Sequence, residues 1–193
     1  MIIVGAGAAG IETAGFFLNQ PDKEEIIFYD KNVIEKKIWN KFLVVNDLET
    51  IKQILKNNPK FCVTIGNPRK REKMFNLMIK LGAVPTNIIV SKTISSEISE
   101  NATIIQPGVC ISFDVIIKNS CFIHANSVIG HKVEIGNFVN ISPLCSIIGP
   151  CKIGDFSYIG AKSVIMPNIN IGKNTYITPG SVVNRDIKDY ETF

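Results

Sequence analysis

The chain has 193 residues, 46% hydrophobic and 20% charged, with a formal net charge of +4, which describes a globular chain long enough to bury a core in one domain or two. No apolar run approaches the ~20 residues of a membrane span, and the N-terminus lacks a basic region followed by a cleavage site, so membrane insertion is not expected. The basic residues are scattered apart from "NPRKREK", which leaves no footprint for nucleic acid.

The chain opens with "MIIVGAGAAGIETAGFFLNQ": an apolar strand, then Gly5-x-Gly7-x-x-Gly10, then a helical pattern. "EEIIFYD" predicts a second strand ending at Asp30, twenty residues after the last of these glycines. Asn46 with Glu49 predicts a capping box for a helix through about Leu55. "KFCVTIGN" predicts a third strand; Asn67 as cap, Pro68 at the first helical position and Gly82 past the end delimit a further helix. The order is βαβαβ, a parallel-sheet nucleotide-binding unit that ends near residue 90. A glycine motif in this strand-to-helix setting ordinarily indicates a dinucleotide. A dinucleotide needs two mononucleotide halves, and only one is present. One half suits one nucleoside diphosphate, its phosphates resting on the helix N-terminus; the bland alternative is a glycine turn that serves packing alone.

From Ile105 an aliphatic residue recurs at every sixth position, through Ile111, Ile117 and Ile123 to Ile177 and Val183: fourteen consecutive β-branched residues without an insertion. Four residues after each comes a mostly small one, such as Ser127, Cys145 or Ser163, and glycine often follows the aliphatic residue directly, as at Gly130, Gly136, Gly154, Gly160 and Gly172. Neither a period of 3.6 nor simple alternation explains a strict six. A parallel β-helix does: each hexad supplies one short strand and one turn, with the isoleucine inside, the small residue in the tight corner and glycine giving the turn its backbone freedom. Cys62, Cys110, Cys121, Cys145 and Cys151 are odd in number and lack CxxC spacing, so they read as small buried groups in a reducing, cytoplasmic compartment and not as a disulfide framework or a metal site.

Residues 105–183 resemble the hexapeptide-repeat, left-handed β-helix acyltransferases, in which three hexads make one triangular coil and residues eighteen apart stack about 4.8 Å apart. With "VGAGAAG", "IIFYDK", "TIGNPRKR", "SVIGHKVEIGNFVNISP" and "SVIMPNINIG", nearly the whole chain resembles the bacterial nucleotide-sugar acetyltransferases, including the UDP-4-amino-sugar N-acetyltransferases of bacillosamine synthesis and, as close relatives, the sialic acid O-acetyltransferases. The resemblance implies residues 1–92 as a Rossmann-like half domain that binds the nucleotide-sugar and residues 93–193 as a left-handed β-helix that binds acetyl-CoA. It implies that Gly7, Ala8 and Ala9, beside Gly5, approach the phosphates. Asp30 would reach the base or ribose beside Lys31, and Gly66, Asn67 and Arg71 would complete the pocket.

His131 stands two places after an inward isoleucine, which puts it on an outer face or corner, where a lone histidine is ordinarily without function. The resemblance makes it the catalytic base and assigns the backbone N–H of Gly149, one coil on, to the thioester carbonyl. It implies direct transfer of acetyl from acetyl-CoA to the amine of a nucleotide-linked sugar, in surface-glycan or glycoprotein sugar synthesis, by a homotrimer with its sites between neighbouring β-helices and with no metal. His124, Asn140, Gly160, Ala161 and Pro167 are expected as further sugar or CoA contacts.

Three departures stand out. Relatives carry Asp or Glu after the histidine; here Lys132, a cation, takes that place, and Glu134 follows two further on. A second family histidine is replaced by Asn140, which hydrogen-bonds but cannot take a proton. The "GxPAK" segment that helps cover CoA is absent, the sequence ending at "DYETF", so that either CoA is held differently or the chain is trimmed. A hydroxyl needs a stronger base than an amine, so the missing acid favours N-acetylation over sugar O-acetylation; a weakly active scaffold that binds nucleotide-sugar is the alternative from another class.

Overall fold

The apolar run Ile2-Ile3-Val4 is buried on both faces and forms the central strand β1 (Ile2–Val4) of a mainly parallel sheet, as a continuous β-branched run should. The computed structural model describes residues 1–18, 25–34, 36–99 and 101–193, which form two compact units, Met1–Thr86 and Asn87–Phe193. In the first unit β1 leads into α1 (Ala8–Gly15), β2 (Ile27–Tyr29), β3 (Lys37–Ile38), β4 (Phe42–Val45), α2 (Leu48–Leu55), β5 (Lys60–Val63), α3 (Pro68–Lys80) and β6 (Val84–Pro85). The sheet order is β3-β4-β2-β1-β5-β6, antiparallel only between β3 and β4. Asn19 and Gln20, at the end of the expected first helix, and Glu24, at the head of the expected second strand, lie outside the described residues.

Two local readings need correction. The sequence reading has no strand between β2 and α2, whereas the structure has two, joined by a turn in which Trp39 and Asn40 take φ of 49° and 53°; a bulky residue in that conformation gives no glycine signal. The cap of α2 is Asp47, not Asn46: its carboxylate accepts from the Thr50 N–H at 2.7 Å, three residues on, and the helix begins one residue later than the capping-box spacing suggests. At α3, Asn67 caps by accepting from the Lys70 N–H at 3.0 Å, Pro68 opens the helix, and Gly82, with φ of 81°, follows its end.

The second unit is three parallel sheets wound into coils. Within the repeat the register is eighteen residues throughout, as in Cys110↔Val128, Ile116↔Glu134 and Phe122↔Asn140. All fourteen hexad aliphatics from Ile105 to Val183 are buried. The ends wind more tightly: Ile88 pairs with Ile104 and Ile171 bridges Ile187, sixteen apart, while Thr93 pairs with Cys110, seventeen apart. Because Ile88–Ile89 pairs with Ile104–Ile105, this segment belongs to the second unit, and the division falls at 86/87, ahead of the expected 92/93.

The corners are built differently from the expectation. Positive φ recurs every six residues three places after the inward isoleucine, at Asp114 (57°), Ser120 (50°), Asn126 (57°), Lys132 (55°) and Phe138 (58°). The glycines directly after the isoleucines are not in that conformation. They lie where the next coil approaches: a Cβ on Gly154 would stand 2.6 Å from the Gly172 carbonyl carbon, and one on Gly130 would stand 2.7 Å from Gly149 N. The small interior residues do more than fit. Ser127 Oγ donates to Ser142 O at 3.0 Å and accepts from Cys145 N at 3.2 Å, and Cys145 Sγ donates to Gly160 O at 3.1 Å, so hydroxyls and thiols satisfy corner groups that water cannot reach.

Candidate functional site

In the first unit a cavity of about 780 Å³ opens at the C-terminal ends of β1, β2 and β5, where a parallel sheet places its ligands. Its lining includes Gly5, Gly7, Ala8, Ala9, Asp30, Lys31 and Gly66, all expected from the sequence. The glycines divide the work. Gly5 takes φ of 106°, and a Cβ on Gly10 would lie 2.1 Å from Gly5 O, so these two shape the strand-to-helix turn. A Cβ on Gly7 would meet nothing within 4 Å; its place faces open space. Ala8 and Ala9 follow at the start of α1, where first-turn N–H groups have no intrahelical acceptor and Gly7 supplies no side-chain cap.

The loop is held from three sides. Thr64 Oγ1 donates to Gly5 O at 2.7 Å, Gly5 N donates to Tyr29 O at 2.8 Å, and Asp30 Oδ2 accepts from Ala6 N at 3.0 Å. Asp30 Oδ1 accepts from Asn32 N at 3.0 Å, so this carboxylate fastens the loop as well as lining the cavity. Burial, then the nearby Asp30 and Asp47 charges, push the Tyr29 phenol above its ordinary range. Asn67 serves as the α3 cap. Arg71 is fully buried, its guanidinium donating to Ile65 O at 2.8 Å and Gly66 O at 3.0 Å; it shapes the Ile65–Gly66 turn at the cavity wall from behind. Sequence reasoning missed Tyr29, Thr64, Lys70, Lys73 and Met74 in this lining; the three α3 residues are legible once Asn67 fixes the helix start, because i+3 and i+4 spacing puts them on one face.

The second unit separates the remaining residues between two corners of the coil. At the corner after Val128–Ile129, the eighteen-residue register stacks Phe113, His131, Gly149, Pro167 and Arg185 in one column. The exposed His131 ring lies against Phe113, centroids 5.5 Å apart and planes 18° apart, and among the described residues it has no hydrogen-bond or ion-pair partner. A Cβ on Gly149 would fall 1.7 Å from His131 O, so only glycine brings this backbone so close. The Gly149–Pro150 peptide is cis, Pro150 standing at the corner position that carries positive φ in other hexads but without that conformation itself, and the Gly149 N–H has no acceptor among the described residues. Lys132 occupies the positive-φ corner, its N–H donating to Phe113 O at 3.2 Å. Glu134 points out from the next strand and pairs with Lys152 at 3.0 Å, so it does not stand in for an acid beside His131.

The corner after Phe122–Ile123 carries His124, Gly160 and Ala161. His124 stacks on Phe122 with centroids 4.0 Å apart and faces Asn140 Oδ1 across 3.4 Å from Nε2; Asn140 Nδ2 reaches Ser142 Oγ at 3.4 Å. Gly160 is required by packing, since a Cβ there would lie 2.5 Å from Pro179 N. Among the described residues, no group of three or more His, Cys, Asp or Glu is placed to hold a metal ion, and no helix is long and apolar enough to cross a membrane.

A strand-to-helix glycine turn followed in one chain by a β-helix of hexads places the protein among the hexapeptide-repeat transferases. Residues 1–78 match the PglD N-terminal domain, and residues 150–185 match the bacterial transferase hexapeptide model of six repeats. The chain is 31% identical over 178 residues to GDP-perosamine N-acetyltransferase of Escherichia coli O157:H7, covering 86% of this chain and 78% of that protein. It shares its fold with PerB of Caulobacter crescentus, solved in complex with CoA and GDP-perosamine, at 22% identity and a TM-score of 0.81 over 97% of this chain and 90% of that one. The acetyltransferase domain of PglB from Neisseria gonorrhoeae, solved with acetyl coenzyme A, gives 22% identity and a TM-score of 0.84 over 99% and 93%. The second unit is thus a left-handed parallel β-helix. The chain belongs to the nucleotide-sugar N-acetyltransferases, the family of GDP-perosamine N-acetyltransferase.

Proposed function

We propose that this enzyme transfers acetyl from acetyl-CoA to the amino group of a nucleotide-linked amino sugar, with His131 as general base and the Gly149 N–H as oxyanion donor. The first unit holds the nucleotide and the β-helix holds acetyl-CoA. The observation that carries the reading is the packing of Gly149 against the His131 backbone, which sets an unpaired N–H one coil from an exposed imidazole. The amine attacks the thioester carbonyl carbon, forming the C–N bond, while His131 takes a proton from nitrogen. The negative charge that develops on the carbonyl oxygen is met by the Gly149 N–H, a donor already in position. Collapse breaks the C–S bond, and the imidazolium returns the proton to the CoA thiolate, so no covalent enzyme intermediate forms.

The likeness to GDP-perosamine N-acetyltransferase over 86% of the chain supports an amine as acceptor. A trimer with its sites between copies accounts for the two separate corners: the His131 corner of one copy would meet the His124–Asn140 corner of the next. Exposed Val128 and Val182, on the outer face of the sheet between these corners, support burial against a neighbour. We place the enzyme in a reducing, cytoplasmic setting on the ground that its five cysteines are odd in number and lack CxxC spacing.

The test is CoA release by wild type and His131→Ala with acetyl-CoA and UDP-, dTDP- and GDP-linked 4-amino sugars, beside the corresponding 4-hydroxy sugars and free sialic acid. Turnover by wild type, lowered about 10²–10⁴-fold in the variant, is expected. Wild-type turnover that survives the substitution would remove the base. Release only with hydroxyl acceptors would establish O-acetylation, and nucleotide-sugar binding with no turnover would establish the scaffold.

A further inference from the structure

We infer that Ile148 and Met166 select the acyl group that this enzyme transfers, Ile148 setting the limit on its length and Met166 giving it an apolar surface. The inference rests on the transfer reading above and deepens it by naming what confines the donor to a two-carbon acyl group.

The observation begins in the repeat. Fourteen positions directly follow an inward aliphatic residue of the hexads, from Gln106 to Asn184, and twelve of them carry glycine or a polar side chain. The two exceptions are Ile148 and Met166. Neighbours of an inward residue point outward from a strand, and both of these are exposed, at 40% and 39%. They are not scattered. Eighteen residues apart, they are consecutive members of one column, about 4.8 Å apart, at the corner that carries His131 and Gly149. Their backbones are fixed in the ladder, the Ile148 N–H donating to Ile165 O and the Met166 N–H to Val183 O, each at 3.0 Å.

Covalent geometry puts Ile148 beside the chemistry. Gly149 N is bonded to the Ile148 carbonyl carbon, so an oxygen that accepts from the Gly149 N–H lies within about 6 Å of Ile148 Cβ. The coil below leaves that N–H clear: Gly130, the preceding member of the column, has no side chain, and a Cβ there would lie 2.7 Å from Gly149 N. The approach is open on the Gly130 side and walled by Ile148 and Met166 on the other. With the thioester oxygen on the Gly149 N–H, the sulfur carries the rest of CoA away from the coil and the acyl chain lies along the apolar wall. The two side chains act differently there. Met166 is unbranched and adapts to what it touches. Ile148 is β-branched and stiff at χ1, so it sets the limit. One methylene too many against such a wall lowers kcat/KM about 10–200-fold. The bonds made and broken stay those above: C–N forms, C–S breaks, and the proton from nitrogen ends on the thiolate.

The test is kcat/KM of the full chain for acetyl-, propionyl- and butyryl-CoA, with the UDP-, dTDP- and GDP-linked 4-amino sugars as acceptors and CoA release as the readout. The proteins are wild type, Ile148→Val, Ile148→Ala, Met166→Ala, and, as a control, Ile116→Ala, which alters an exposed isoleucine on another sheet of the coil. Wild type and Ile116→Ala are expected to favour acetyl over propionyl by about tenfold or more, and over butyryl by more still. Ile148→Val should narrow that gap, and Ile148→Ala should bring acetyl and propionyl within about threefold by raising propionyl turnover. Met166→Ala should raise the KM for acetyl-CoA and keep the preference. Equal use of all three donors by wild type, a preference that survives Ile148→Ala, or a preference lost or a KM unmoved in Met166→Ala overturns this inference and leaves acyl transfer standing. No CoA release by wild type from any donor with any acceptor would overturn both.

Discussion

Gly7→Ala and Gly10→Ala add the same methyl group to the same loop and should have opposite consequences. On Gly10 the new Cβ would lie 2.1 Å from Gly5 O and 3.1 Å from Thr64 Oγ1. Gly5 O is fixed by the Thr64 hydroxyl at 2.7 Å, so the clash is with held backbone and β1 must part from α1 to relieve it. Overpacking of this kind costs about 3 kcal/mol or more, a fall of roughly 6–12 °C in melting temperature for a chain of this size. Gly7 has φ of −76° and ψ of −168°, which any residue adopts, and no atom within 4 Å of a new Cβ. There the cost is that of a poorer helix cap, about 0.5–1 kcal/mol, or roughly 1–4 °C. On the proposed function the methyl group would stand where a phosphate approaches the backbone, so nucleotide affinity should fall about tenfold or more while the fold survives. Thermal unfolding followed by circular dichroism, with nucleotide titration of each variant, reads both quantities. Unchanged affinity in Gly7→Ala, or a loss of stability equal to that of Gly10→Ala, would refute the division of labour between these glycines.

Phe113→Ala removes the ring on which His131 lies; kcat should fall about fivefold, the worth of about 1 kcal/mol of stacking, with KM and the melting temperature little changed and with recovery in Phe113→Tyr. Ser127→Ala strips partners from Ser142 O and Cys145 N inside the coil and should cost about 2–4 kcal/mol in denaturant unfolding, whereas Ser127→Cys keeps a donor, as Cys145 itself does. The Thr50 N–H holds the Asp47 carboxyl, and Arg185 the Glu191 carboxyl, below the ordinary carboxylate range. Because both are lowered on folding, their stabilisation is complete above the unfolded values near pH 4 and is lost as pH falls through the folded ones; Asp47→Asn/Glu191→Gln should flatten that acid limb in a pH series of unfolding curves. Burial pushes the Cys151 thiol up to about 11 and Cys145 upward as well, so iodoacetamide at pH 7.5 should label the half-exposed Cys110 first and Cys151 scarcely at all, as peptide mass mapping would show.

The β-helix was legible because its problem is one-dimensional. A strict six fixes the phase of every inward side chain, and from Ile105 to Val183 each one is buried as the spacing requires. Its ends were less legible: the register shortens to sixteen at Ile88↔Ile104 and Ile171↔Ile187, where a coil is closed by segments that carry no hexad signature. In the first unit, local chemistry reached as far as local interactions do. Asn67, Pro68 and Gly82 mark their helix within a few residues of sequence, but β4 joins β2 through a crossing that no period encodes, and the turn before it is made by Trp39 and Asn40 without a glycine. Arg71 shows the limit for single residues. Its type suggests phosphate, and its place three residues into α3's first turns cannot reveal that it folds back on the Ile65 and Gly66 carbonyls while Lys70 and Lys73 face outward to the cavity.

The same geometry changes how the missing acid after His131 is understood. In a globular loop the residue next in sequence is the natural place to look for a partner, and Lys132 there reads as a defect. In a coil of eighteen the neighbours that matter are one turn above and one below, so His131 answers to Phe113 and Gly149. Lys132 takes the corner conformation at φ of 55°, and Glu134 lies on the following strand, committed to Lys152 one coil away. Neither shares the column that sets the ring. On the proposed role of His131, an imidazole held by a stacked aromatic and offered an amine with a free lone pair needs a position more than it needs added basicity, and the column would supply it. An aspartate at 132 would sit at ease in that corner, as Asp114 does one coil away at φ of 57°, but its place lies outside the column that sets the ring. Lys132→Asp should change kcat less than Phe113→Ala does.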